Sequence, residues 1–133
     1  MPTTDSTHLQ RFLRFALVGV GGFVVDTAIL YAVLVFGDYF LTGRLVSFLG
    51  AATFTWYMNR KFTFQSRNRD LLREWCHFLL VNSGGGLVNL VTYAVLIGLV
   101  PLVQAFPVIG VAVGSLAGLL FNFTLSHRFV FST

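Results

Sequence analysis

Four apolar runs, at about Phe15 to Phe36, Phe40 to Met58, Phe78 to Val100 and Phe106 to Leu125, fill most of this 133-residue chain. Each is close to the ~20 residues a helix needs to cross a ~30 Å hydrocarbon layer. The expected fold is therefore an all-α integral membrane protein with four transmembrane helices in a single domain, 1–133. Composition opposes a soluble alternative. Only 11% of residues are charged and 56% are hydrophobic, whereas a water-soluble domain carries roughly a quarter charged residues on its surface. The gaps after the first and third runs are short and hold Gly37-Asp38 or Pro101, as tight turns between antiparallel neighbours do.

The basic residues set the expected orientation. Arg11 and Arg14 precede the first run, Arg60, Lys61, Arg67, Arg69 and Arg73 cluster between the second and third, and Arg128 follows the fourth; only Arg44 falls on the other side. The positive-inside rule then places both termini and the middle loop in the cytoplasm. The net charge of +4 follows from that topology and suits anionic lipid heads rather than nucleic acid. The first run is longer than a signal-peptide core and carries Asp26 near its middle, so it is read as retained. Cys76 is the only cysteine, and His8, His77 and His127 are far apart, so neither an internal disulfide nor a metal cage is expected.

The chain also matches itself. "RFALVGVGGFVVD" from Arg14 aligns with "HFLLVNSGGGLVN" from His77, setting Phe15 on Phe78, Gly21-Gly22 on Gly84-Gly85 and Asp26 on Asn89. At a slightly larger offset, Phe54 falls on Phe121, Lys61 on Arg128, Phe62 on Phe129 and Phe64 on Phe131. This reads as two tandem helical hairpins, about 11–64 and 74–131, related by a pseudo-two-fold along the membrane normal. Gly110, Gly114 and Gly118, with counterparts Gly43, Ser47 and Ala51, form small-residue stripes that let helix backbones approach closely, within the chain or in a homodimer. The glycines around Gly21 and Gly84 follow no strand and fit no dinucleotide or P-loop spacing.

Two groups of residues carry candidate chemistry. Asp26 in the first span would cost about 2.5–3.5 kcal/mol if exposed to hydrocarbon, so it should face protein or a wet cavity. Its face also bears Gly22 and Gly19, and the matching face of the third span bears Asn89, Gly85 and Asn82. A hydrogen bond to Asn89, a part in gating or proton coupling, or compensation of Arg44 would each satisfy that need. The second group is the word "NRKFTF", Asn59 to Phe64, echoed by "SHRFVF", Ser126 to Phe131. Cations and aromatics at an interface are common anchors. Repeated at the same end of both hairpins, with Arg14 nearby, they also suit the phosphate of a lipid, because arginine forks match phosphate oxygens. No nucleophile, base and carboxylate set can be assembled, so no enzyme activity, cofactor or catalytic residue is expected.

On "RFLRFALVGVGGFVVD", "FTWYMNRKFTF" and "FNFTLSHRFVF", the chain resembles the GtrA-like family of small four-span inner-membrane proteins over nearly its whole length. The resemblance implies a multi-pass protein of the bacterial inner membrane that flips a polyprenyl-phosphate-linked sugar, such as undecaprenyl-phosphate glucose, for cell-surface polysaccharide synthesis, with a membrane glycosyltransferase as partner. The second half departs from the pattern, with Ser126-His127 where the first has Asn59-Arg60. Combining both lines, Arg14, Arg60, Lys61 and Arg128 are expected to attract the phosphate and Asn59 to orient it, while Asp26 and Asn89 form a polar path for sugar hydroxyls. The alternatives are a proton-coupled exporter resembling the small multidrug resistance proteins, with Asp26 binding cation and proton in turn, and a non-transporting assembly subunit for a glycosyltransferase.

Overall fold

A computed structural model describes residues 4–37 and 40–131, and among them the regular structure is helical. The order is α1 (Thr4–Phe36), α2 (Phe40–Met58), a π-helical turn π1 (Asn59–Thr63), α3 (Leu71–Leu99), α4 (Pro101–Ala105), α5 (Pro107–Leu125) and a second π-helical turn π2 (Ser126–Val130). Asp38 of the expected Gly37-Asp38 turn lies outside the described residues. Three helical stretches, Ser6–Phe36, Leu71–Leu99 and Pro107–Val130, are long and apolar enough to cross a membrane. At 19 residues α2 is comparable in length, but it is not one of these three stretches.

Burial is inverted relative to a soluble protein. Large apolar side chains such as Leu17, Phe23, Val35 and Leu80 are exposed, whereas the buried positions within the long helices are mainly small, among them Gly22, Ser47, Ala51, Gly114 and Gly118. A hydrocarbon surrounding explains both. Apolar side chains gain little there by packing on one another, so the helices associate through backbone approach. Each helix meanwhile satisfies its own peptide groups, which lipid could not do.

The chain divides into two compact units, one made of α1, α2 and π1 and the other of α3, α4, α5 and π2. In the first, Gly22 lies against Thr55, Gly21 against Phe54, Gly50 against Ile29 and Gly43 against Leu30 and Val33. The numbers rise on one helix as they fall on the other, so α1 and α2 run antiparallel. In the second, Gly84 lies against Phe121, Gly85 against Asn122, Gly114 and Gly118 against Asn89, and Gly110 against Tyr93. A methyl group on Gly118 would stand 2.7 Å from the Gly85 carbonyl oxygen, and one on Gly114 would stand 2.8 Å from that of Asn89. Backbone cannot step aside as a side chain can, so these two glycines set how closely α3 and α5 approach.

The connection between α3 and α5 is built by proline. Val100 and Phe106 precede Pro101 and Pro107, and both leave the helical region, at φ −113°, ψ 111° and φ −131°, ψ 79°. The proline ring crowds the residue before it out of the α conformation, while its own fixed φ suits the first position of a helix. The chain therefore breaks twice and restarts twice, inserting the short α4, from which Val103 is buried against Gly110. This insert is where the two halves of the sequence differ in spacing.

Candidate functional site

At the end of α2 the helix widens into π1. The Phe64 amide donates to the Asn59 carbonyl at 2.9 Å and the Ser66 amide to the Arg60 carbonyl at 2.9 Å, so each ring encloses more residues than an α-turn. π2 closes in the same manner, with the Phe131 amide donating to the Ser126 carbonyl at 2.9 Å. Wide turns of this kind occur often at functional sites because they redirect side chains. An aromatic pair pins each turn to the start of its unit's first helix. Phe15 and Phe64 meet edge-on with centroids 6.1 Å apart, and Phe78 and Phe131 meet at 5.9 Å.

π1 divides its polar residues into buried and exposed groups. Asn59 is 1% exposed, and its Oδ1 accepts a 2.8 Å hydrogen bond from the Thr63 hydroxyl one turn later. It braces the turn from behind. Arg60 and Lys61 point outward, and with Tyr57, Gln65 and Ser66 they line an open cleft of about 380 Å³. The Arg60 fork is oriented by the following loop: Nη2 donates to the Asn68 carbonyl at 2.6 Å and Nη1 to the Ser66 hydroxyl at 3.4 Å. That loop is itself tied, with the Asn68 amide on Ser66 Oγ and the Asp70 amide on Asn68 Oδ1. The Lys61 ammonium lies 5.6 Å from the Phe62 ring centroid and 6.0 Å from that of Tyr57, near enough for the rings to steady a cation without neutralising it.

Arg14 approaches π1 from α1, its Nη1 donating to the Phe62 carbonyl at 3.2 Å. It lines a smaller cleft of about 160 Å³ with Thr7, Gln10, Arg11, Thr63, Phe64 and Gln65. Gln65 belongs to both clefts and holds a left-handed φ of 51°, a conformation that costs a residue with a Cβ roughly 1–2 kcal/mol. The first unit thus brings Arg14, Arg60 and Lys61 to the two sides of one residue. In the second unit, Arg128 is exposed at the position matching Lys61, 5.4 Å from the Phe129 ring centroid. Beneath it the hydroxyl of Ser126, where the first unit has Asn59, is buried without a hydrogen-bond partner among the described residues, as is Oδ1 of Asn122. The position matching Thr63 is Val130, which has no hydroxyl to donate.

Asp26 lies within the first candidate span and is paired. Arg44 Nη1 stands 3.2 Å from Asp26 Oδ2 and 3.5 Å from Oδ1, with the two side chains 45% and 24% exposed respectively. Each charge answers the other where a lone one would be costly. Asn89 lines an open cleft of about 220 Å³ with Gly86, Leu90, Tyr93 and Val111.

Sequence reasoning missed Gln65, Tyr57, Ser66 and Asn68. Ser66 and Asn68 left a trace, in the polar run "QSRNRD", since Asn and Ser in such runs fold the backbone onto their side chains. Among the described residues there is no group of three His, Cys, Asp or Glu side chains that could hold a metal ion. The family model described as GtrA/DPMS, transmembrane domain, matches residues 14–133. No curated protein matches the chain.

Proposed function

Since this chain belongs to the GtrA/DPMS transmembrane-domain family, a membership that points to a membrane function related to polyprenyl-phosphate sugars, we propose that it translocates a polyprenyl-phosphate-linked sugar, such as undecaprenyl-phosphate glucose, across the bacterial inner membrane. In this reading α2 is the fourth span, the two units are tandem repeats, and both π turns face the cytoplasm. The chain acts without catalysis, beside a glycosyltransferase that loads the lipid.

The observation that carries the proposal is the cleft shared by Arg60 and Lys61. Two cations stand on one open surface at the end of a hydrophobic helix, which is where a lipid phosphate resides while its tail remains in hydrocarbon. Arg60 is held by Ser66 and Asn68, so little side-chain freedom is lost when an anion docks. Arg14 extends the positive field within the first unit, Arg128 carries a cation at the matching position of the second, and Asn59 acts through π1 by fixing the backbone that carries Arg60 and Lys61. Asp26 and Asn89 then offer polar partners to sugar hydroxyls that would otherwise lose their water hydrogen bonds in crossing. The ion pair with Arg44 supports this reading over the cation exporter, because a carboxylate already answered by arginine is a poor site for alternating cation and proton binding.

Reconstitution into liposomes with a fluorescent glycolipid tests the proposal. Leaflet exchange should require the protein and drop at least tenfold in an Arg60→Ala, Lys61→Ala double variant. Exchange that persists at the wild-type rate in that variant, or an absence of exchange with intact protein, would reject it.

A further inference from the structure

The Asp26–Arg44 pair has a counterpart that is not an ion pair. The alignment that sets Asp26 on Asn89 and Gly43 on Gly110 sets Arg44 on Val111 and Phe23 on Gly86. Both charges are replaced together, and so is an aromatic ring beside them. In the second unit these same positions, Gly86, Asn89 and Val111, line the 220 Å³ cleft with Leu90 and Tyr93.

We propose that this cleft binds a neutral, hydroxyl-bearing ring, the sugar of the lipid-linked substrate; the assignment rests on the translocation reading and gives it a sugar site. Its chemistry selects against charge. An ammonium or carboxylate entering from water would meet no counter-ion among the lining residues and would lose its hydration, a cost largest at membrane depth. A hydroxyl group both donates and accepts, and an amide side chain can answer both. The Tyr93 ring supplies the aromatic surface against which the C–H face of a sugar packs. The volume is below the ~300–1,000 Å³ of sites for drug-sized ligands and suits a single ring.

The two binding groups are held by the glycine seam. A Cβ on Gly114 would stand 2.6 Å from Asn89 Oδ1, and one on Gly110 would stand 3.0 Å from Tyr93 Cδ2. The amide and the ring therefore rest directly on helix backbone, which restricts their rotamers before any ligand arrives. The rim is formed by Leu90 and Val111, 63% and 52% exposed, apolar neighbours for the start of a hydrocarbon tail. Gly86 opens the floor: nothing lies within 4 Å of a Cβ placed there. A side chain at that position would fill the cleft without touching the seam.

The test uses the full chain in phosphatidylcholine nanodiscs, with the Asn89 side-chain amide followed by NMR. Dodecyl glucoside should shift that resonance saturably, while dodecyl phosphate and dodecanol should not. Gly86→Phe, which restores the aromatic residue found at the matching position, should abolish the shift, and Gly86→Ala should weaken it, with the Gly114 and Gly118 resonances unmoved as a check on packing. An equal response to dodecanol, or a glucoside shift that survives Gly86→Phe, would overturn the sugar site. Phosphate docking is read separately from the Arg60 resonances on adding dodecyl phosphate. Their failure to move would sink the docking reading and leave the cleft to be judged on Asn89 alone.

Discussion

Arg44 reaches from α2 to place its guanidinium 3.2 Å from the Asp26 carboxylate on α1, so each of these two side chains answers the other. Asp26 lies within the candidate span Ser6–Phe36, and an unanswered charge near the centre of such a span costs about 2.5–3.5 kcal/mol on insertion. Asp26→Asn and Arg44→Leu are each expected to lower stability by about 1–3 kcal/mol, since partial exposure relieves some of the full cost. The double variant should recover most of the loss. Unfolding in mixed micelles by titrated SDS measures all four members of the cycle, and strictly additive losses would show that the pair does not couple.

Glycines in the α3–α5 seam should respond unequally to alanine. Gly118→Ala and Gly114→Ala drive a methyl group to 2.7 Å and 2.8 Å from backbone oxygens, and overpacking of this kind costs about 1–3 kcal/mol. Gly86→Ala meets nothing within 4 Å, and relief of a helix-interior glycine gains about 0.5–1 kcal/mol. The same SDS titration separates the two classes by sign.

The two π turns differ in polar satisfaction, and stability should reveal it. Thr63→Val removes the donor to buried Asn59 Oδ1 and is expected to cost about 1–3 kcal/mol. Ser126→Ala deletes a buried hydroxyl without a partner among the described residues and should be neutral or stabilising by about 1 kcal/mol. A loss for Ser126→Ala as large as that for Thr63→Val would mean that the Ser126 hydroxyl is satisfied.

Arg60→Lys retains the charge and loses the fork. A lysine ammonium cannot reproduce the planar pair of contacts to Asn68 and Ser66, so the loop after π1 should open more often. Hydrogen exchange at the Asn68 and Asp70 amides is expected to accelerate about tenfold, equivalent to about 1.4 kcal/mol, while the core of α5 is unaffected. Unchanged exchange at those amides would remove Arg60 as the tie that orders the loop.

Much of this architecture is written in one dimension. Runs of about twenty apolar residues become helices because lipid offers peptide groups no other partner, and α2 spans the Phe40 to Met58 of its run. Pro101 and Pro107 mark the breaks because their rings forbid continuation. Small residues at four-residue spacing identify Gly110, Gly114 and Gly118 as the packed face, since that spacing returns to one side of a helix. Tertiary structure decided the partners. An extra residue in a helical ring leaves hydropathy unchanged, so π1 could not be read from its letters, and Asn59 proved to be the buried brace while Arg60 and Lys61 hold the surface. Whether Asp26 would meet Arg44 depends on the register in which α1 and α2 pack, and that register is set by contacts such as Gly22 on Thr55. Composition and periodicity specify which residues avoid water, because that is a property of each side chain; which polar atom meets which is a property of two helices together, and it exists only once they have packed.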